Sequence, residues 1–400
     1  MSETVLIVGA GIVGSSLAHF LSKSPISRNI TVVDRSVSPL LGSTGHAPGF
    51  VGQFNESEVL TRLAIETVDE YTKIPGGFET VGGLEVASTP AGIAKLQSRY
   101  SNAAKLGLPS ELVPLQKAQE LAPNLVDASA SGEALHFLTD GTANAGAITS
   151  YFRDTSTKAG VQFLERDVKG LVISDGRITG VEVQEGESIS QLTADKVVLA
   201  TGIWAQHLCK HLEVPIPVVP VGHPYMYGET RAPIGRKLPF VRWPESHAYA
   251  RDHGDHYGIG TYNHQPLQYR PTNGTAIGDW ISDFEDPLKS ATALLPDATK
   301  TEFAGGKSFN GIFSMTPDNM PLAGAVQSVR GLYLAVAVWV THAAGTAKFI
   351  AKLMDEGEVD TKTREALDPD RFKGQDSAKL ETKSLNGYNE IYKTVEGSSN

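Results

Sequence analysis

The sequence predicts an α/β fold: a largely parallel sheet between helices, joined to an antiparallel sheet that faces it. Three observations predict it. A β-rich apolar run at Thr4 to Val8 leads into a glycine-rich turn and a helix. A run of short alternating strands feeds the buried apolar strand Lys196-Val197-Val198-Leu199-Ala200-Thr201-Gly202. A stretch rich in Pro, Tyr, His and Trp, from Pro215 to Phe309, carries strands of its own.

The first element is the most specific. After Val8 comes Gly9-Ala10-Gly11-Ile12-Val13-Gly14, then Ser15 to Ser22, whose Leu17, Ala18, Phe20 and Leu21 form a buried helix face. Ile30 to Val33 reads as a second strand and ends at Asp34. Gly9 makes the tight turn, Gly11 lets the backbone approach a pyrophosphate, and Gly14 lets helix and strand pack closely. Asp34 lies 20 residues beyond Gly14, where a carboxylate takes ribose hydroxyls. Together these make a Rossmann-type dinucleotide site, and the helix N-terminus faces the phosphates.

Further along, Val81 to Ala87 is expected as a strand, with helices over Ala91 to Lys105, Leu115 to Leu121 and Ala147 to Ala159. Val161 to Leu164 follows as a strand. Asp167 to Ile173, Arg177 to Val183 and Ser190 to Leu192 read as a β-meander turning at Ser174-Asp175-Gly176. Strands are expected near Val218 to Tyr227 and His256 to Tyr262, then Leu332 to Val340 and an amphipathic helix, Thr346 to Met354. The polar segment 366–400 is expected as a surface tail.

Composition narrows the function. Lys+Arg of 35 against Asp+Glu of 45 gives a net charge of −10 with no basic block, which argues against nucleic acid or an anionic membrane as partner. A small molecule is the expected ligand. The single cysteine, Cys209, offers neither a disulfide nor a redox pair. No apolar run reaches the length of a membrane span, and the first strand starts so close to Met1 that no leader is expected, which suggests a cytoplasmic protein. His247, His253, His256 and His264 have spacings unsuited to a metal site and are expected as polar surface.

Several motifs carry more than generic information. Ser43-Thr44-Gly45-His46-Ala47-Pro48-Gly49, VGGLEVAST at 81–89, Val221-Gly222-His223-Pro224-Tyr225, Tyr257-Gly258-Ile259-Gly260, NGIFSMTP at 310–317 and Val338-Trp339-Val340-Thr341-His342 jointly resemble the dimethylglycine oxidase and sarcosine/dimethylglycine dehydrogenase branch of the D-amino-acid oxidase superfamily. The resemblance runs from about residue 4 to about residue 393. It implies a discontinuous two-domain flavoprotein. The FAD-binding domain would comprise 1–80, 146–216 and 311–365, and the substrate domain 81–145 and 217–310.

The resemblance also implies covalent attachment of FAD through His46, and cofactor contacts at Arg35, Ser43, Thr44, Ala47, Val168, Thr201, Gly202, Trp204, Trp339, Thr341 and His342. It makes His223 and Tyr249 the catalytic pair, although Ala250, next to Tyr249, departs from the family pattern. The cysteine by which related sarcosine oxidases hold flavin is replaced by Gly311, and their carboxylate-binding arginine is missing from Phe50-Val51-Gly52-Gln53. Arg62, Arg242 and Arg251 are the substitutes to consider. Relatives continue into folate-binding domains, so this sequence would be either a stand-alone oxidase or a portion of a longer chain.

The implied chemistry is removal of a hydride from the carbon beside an amine nitrogen to flavin N5. That yields an iminium that water splits to formaldehyde and the demethylated amine, with O2 reduced to H2O2. Only the neutral amine has the lone pair to drive this, so a nearby group must receive a proton from a substrate that is mostly ammonium at neutral pH. Dimethylglycine and sarcosine are the first N-methylated substrates to consider. The open alternatives are another secondary or tertiary amine, a dehydrogenase that passes electrons to a protein, a flavin-binding partner without turnover, and an NAD-linked dehydrogenase.

Overall fold

The computed structural model describes residues 2–129, 131–270 and 274–393. Two large sheets organise them. The first has six strands in the order Leu322–Ala325, Leu332–Val336, Lys196–Leu199, Glu3–Val8, Arg28–Asp34 and Gln162–Glu165. All its pairings are parallel except that of the edge strand Leu322–Ala325. Strands buried on both faces read as continuous apolar runs, and Val197, Val198 and Leu199 are fully buried. The helix Ile12–Ser22 crosses from the first strand to the second and packs on one face beside Ala145–Lys158 and Ala343–Met354. The expected meander covers the other face. Its strands Asp167–Ser174, Arg177–Glu185 and Ser188–Thr193 bring Ile178, Val181 and Val183 against Leu6, Val8 and Leu199.

The second sheet has nine strands: Ile277–Gly278, Lys307–Met315, Val219–Tyr227, Tyr257–Thr261, Ala248–Asp252, Phe240–Trp243, Gly83–Ala87, Glu133–Phe137 and Ser110–Pro114. It is antiparallel apart from the pairing of Phe240–Trp243 with Gly83–Ala87. Lys307–Met315 pairs with Val219–Tyr227 along its whole length, so this strand runs through the expected boundary at 310/311. The strand expected over Leu332 to Val340 ends at Val336. Ala337 adopts φ +56°, and Val340–His342 forms a 3-10 turn that leads into the helix Ala343–Met354.

The expected surface tail requires correction. Up to residue 393 it is folded, with helices at Thr361–Leu367 and Ser377–Asn386, 3-10 turns at Pro369–Phe372 and Gly387–Lys393, and Leu367, Phe372, Leu380 and Tyr388 buried. Residues 394–400 lie outside the described residues. Leu380, Ser384, Tyr388 and Ile391 fall on one helical face, a sparse stripe that the surrounding Lys and Glu residues conceal. Arg371 anchors the segment with two bonds to the carboxylate of Asp318, at 2.8 and 3.0 Å. Such a bidentate pair fixes orientation as well as distance. Among the described residues, no helix is long and apolar enough to cross a membrane.

Candidate active site

A cavity of about 770 Å³ lies at the carboxyl ends of the parallel strands. Gly9 there has φ +110°, and a Cβ on it would fall 2.3 Å from the Ala200 carbonyl oxygen. A Cβ on Gly14 would sit 1.9 Å from the Gly9 carbonyl oxygen, so Gly14 is needed for packing, and it does not line the cavity. Gly11 caps the helix Ile12–Ser22 without a side chain, which leaves the positive end of the helix facing the cleft. Asp34 ends the second strand and accepts from the backbone N–H groups of Ala10 (2.7 Å) and Ser36 (3.2 Å). A carboxylate has roughly four lone-pair sites, so acceptor capacity remains. Arg35 lies 4.4 Å over the Trp204 ring. Gly11, Asp34, Arg35, Val168, Thr201, Gly202 and Trp204 all line this cleft.

A second cavity of about 190 Å³ continues from the first, and Ile12, Ser43, Thr44, Ser314 and Val338 border both. Its walls bring together His46, Ala47, His223, Tyr249, Trp339, Thr341 and His342, which are scattered over nearly three hundred positions of sequence. His223 sits on Val219–Tyr227, where the side chain of Asn310 on the adjacent strand accepts from its backbone N–H at 2.9 Å. Its Nε2 lies 2.7 Å from the Tyr249 hydroxyl and its Nδ1 2.5 Å from the Tyr388 hydroxyl. Burial drives the His223 pKa well below the ordinary value, with the nearby His264 adding to the effect, so the imidazole is neutral.

His46 closes the 3-10 turn Ser43–His46. Burial lowers its pKa against the opposing effect of a hydrogen bond to the Leu41 backbone, and its Nε2 is buried without a partner. The Trp339 indole N–H and the Thr201 hydroxyl are likewise buried and unpartnered. Leaving such groups unsatisfied costs about 1–3 kcal/mol each, and a bound group would relieve that cost. His342 is buried, and desolvation pushes its pKa down to about 4.

The three candidate arginines separate. Arg62 is exposed and pairs with Glu58 one helical turn away. Arg251 donates to the Pro48 carbonyl and does not line either cavity. Arg242 borders the smaller cavity, is 7 % exposed, and pairs with Glu85, which also holds Arg99. All four histidines expected as polar surface are partly buried instead: His253 Nε2 meets the Tyr225 hydroxyl at 2.8 Å, His264 Nε2 meets Tyr388 at 2.8 Å, and His256 Nδ1 meets the Asp255 carboxylate at 2.6 Å. Sequence reasoning missed Tyr388, His264, Arg99 and Glu85. Of the groups bonded to His223, only Asn310 lay in a quoted motif.

Residues 4–353 match the family described as "FAD dependent oxidoreductase" (DAO). The chain belongs to that family. Human mitochondrial dimethylglycine dehydrogenase is 26 % identical over 394 residues, covering 93 % of this chain and 44 % of the relative. The formaldehyde-forming 4-methylaminobutanoate oxidase of Paenarthrobacter nicotinovorans is 24 % identical and covers 97 % of this chain and 48 % of its own length. The chain therefore spans less than half the length of these curated relatives. The L-proline dehydrogenase of P. horikoshii shares the fold, with a TM-score of 0.80 at 23 % identity over 93 % of this chain and 98 % of that one.

FAD fits the residues present. The uncapped helix end at Gly11 faces the cleft where a pyrophosphate would lie, Asp34 keeps acceptor capacity for ribose hydroxyls, and unpartnered buried groups on His46 and Trp339 border the adjoining cavity.

Proposed function

We propose that this chain oxidises the N-methyl group of a small secondary or tertiary amino acid, with dimethylglycine and sarcosine as the first candidates. The observation that carries the reading is the neutral, buried His223 bonded to Tyr249 on the wall of a small cavity that opens into the cofactor cleft. Bound FAD would supply the hydride acceptor, leaving an iminium that water splits to formaldehyde and the demethylated amine, with O2 as the final oxidant and H2O2 as product.

The chain's own residues carry the rest. Tyr249 lines the cavity and its hydroxyl is hydrogen-bonded to the neutral His223, so the pair can take the proton that an ammonium substrate must lose. Phe313 and Trp339, 5.7 Å apart, wall the cavity and keep water from the reacting carbon. Arg242 is the one of the three candidate arginines that borders this space, so a substrate carboxylate belongs at that end. Thr341 and His342 bring the start of the helix Ala343–Met354 to the cavity, so its positive end would face a bound flavin ring. His46, whose buried Nε2 has no partner, would be the residue that holds the flavin covalently.

The names of the relatives support the substrate class and leave two acceptors in play, O2 or an electron-carrying protein. The test is anaerobic mixing of the yellow holoenzyme with dimethylglycine, sarcosine and 4-methylaminobutanoate, followed by admission of air. Bleaching by an N-methyl amine and formaldehyde release support the reading, and prompt peroxide formation identifies the oxidase. Flavin that stays oxidised with every N-methyl amine defeats it.

A further inference from the structure

We propose that Tyr388 and His264 complete a proton relay that carries the substrate's amine proton from Tyr249 through His223 toward the protein surface. This rests on the amine-oxidising reading above. The hydrogen-bond geometry fixes the direction of the chain. His264 Nδ1 lies 2.9 Å from the Gln265 carbonyl oxygen. A carbonyl only accepts, so Nδ1 bears the hydrogen and Nε2 of the neutral ring is an acceptor. The Tyr388 hydroxyl, 2.8 Å away, therefore donates to His264. Its oxygen is then left to accept from His223 Nδ1 at 2.5 Å. That assigns the lone pair of His223 to Nε2, which accepts from Tyr249 at 2.7 Å. All four bonds point the same way.

The surroundings suit a relay. Tyr249, His223 and Tyr388 are 1 %, 2 % and 0 % exposed, while His264 is only partly buried. Tyr262 packs on both His223 and Tyr388, and Phe313 lies 4.8 Å from the His223 ring, so water does not compete along the inner steps. Among the described residues, Tyr388 and, beyond it, His223 are titratable groups that face His264, and Phe284 covers its ring from the side at 4.9 Å; burial lowers the His264 pKa against the opposing hydrogen bond to Gln265, so a charge there is passed on rapidly. Burial keeps a charge from resting on His223, so a proton received there must move on.

When an ammonium substrate gives its proton to the Tyr249 oxygen, the Tyr249 hydrogen passes to His223 Nε2. The Nδ1 hydrogen passes to the Tyr388 oxygen, and the Tyr388 hydrogen passes to His264 Nε2. One proton enters, one positive charge appears on His264, and no electrons move. His264 then releases a proton to water, and the hydroxyls and the His223 tautomer reset.

The test uses full-length holoenzyme with Tyr388→Phe and, at the outer end, His264→Gln. In anaerobic bleaching by saturating dimethylglycine at about pH 7, each variant should slow flavin reduction about 10-fold or more with unchanged amine affinity. The deficit should shrink toward about pH 9.5, where more amine enters already neutral. An equal deficit at every pH overturns the relay. A readout without turnover is nitrogen NMR of histidine-labelled protein. His223 should carry its hydrogen on Nδ1, and Tyr388→Phe should shift it to Nε2. An Nε2–H tautomer in the unmutated protein overturns the relay. Failure of that protein to bleach, with the Nδ1–H tautomer present, sinks the amine-oxidising reading while still supporting the wire.

Discussion

The Tyr249 hydroxyl lies 2.7 Å from His223 Nε2, and the two rings are nearly parallel, 11° apart in plane with centroids 5.7 Å apart. They come from strands Val219–Tyr227 and Ala248–Asp252, which flank Tyr257–Thr261 in the large sheet. The sheet itself therefore holds the contact, and removing the hydroxyl should leave the scaffold in place. Tyr249→Phe should slow flavin reduction by a substrate amine about 100-fold or more, since general acid–base groups contribute on that scale. It should also lower stability by about 1–3 kcal/mol, because a buried acceptor on His223 loses its partner. Stopped-flow bleaching and urea unfolding of the same variant measure both. A variant that bleaches at the unmutated rate removes Tyr249 from the proposed chemistry.

His46 presents a buried, unpartnered Nε2 to the smaller cavity. If flavin is attached there, acid precipitation of the unmutated protein should carry the yellow colour into the pellet, and His46→Ala should leave it in the supernatant. The variant should still bind FAD through the cleft around Gly11 and Asp34. A colourless acid pellet from the unmutated protein would show that the bond does not form.

Two glycines in helices should respond in opposite ways to alanine. At Gly14 the new Cβ would lie 1.9 Å from the Gly9 carbonyl oxygen and 3.4 Å from the Ala200 Cβ, with backbone on one side and no flexible atom to yield. Gly14→Ala should destabilise by about 1–3 kcal/mol or more and loosen FAD. Gly146, at the start of the helix Ala145–Lys158, would meet only the Asn144 side chain at 3.6 Å. There alanine should stabilise by about 0.5–1 kcal/mol through helix propensity. Thermal melts with and without added FAD give the ranking, and a Gly14→Ala protein as stable as its parent contradicts the packing role.

What was legible in the sequence follows from how local the signals are. The Glu3–Val8 strand, its glycine turn, the helix and Asp34 lie within one contiguous stretch, and each residue type is demanded by a nearby neighbour. His46, His223 and Tyr249 could be named only through the family resemblance, because nothing within a few residues of them announces a cavity. The parallel pairing of Phe240–Trp243 with Gly83–Ala87 joins segments far apart in sequence and has no local signature. Tyr388 was the hardest to see. Its partner His223 lies 165 positions away, and its helical stripe is diluted by Lys379, Glu381 and Lys383. Only tertiary packing turns that polar segment into a wall of the site.

Asp140 gives a pH-dependent test of the region behind Arg242. It is 1 % exposed, its Oδ1 accepts from the Gln53 backbone N–H at 2.8 Å, and its Oδ2 is buried without a partner. Desolvation raises its pKa to about 7, with the Arg242 charge opposing in part. In the unfolded chain the same carboxyl ionises near 3.8. Between these values the folded protein keeps a proton that the unfolded chain has released, so this group makes folding less favourable as pH rises through the window. Above about pH 7 both states are ionised and the cost is constant. Asp140→Asn keeps an acceptor for Gln53 but has no proton to lose. Relative to the unmutated protein it should therefore gain stability by up to ~1.4 kcal/mol per pH unit between about pH 4 and 7, and then level off. Urea unfolding of both proteins at several pH values across and beyond that window measures the difference. A difference that does not change with pH would mean that Asp140 is ionised throughout, held so by Arg242.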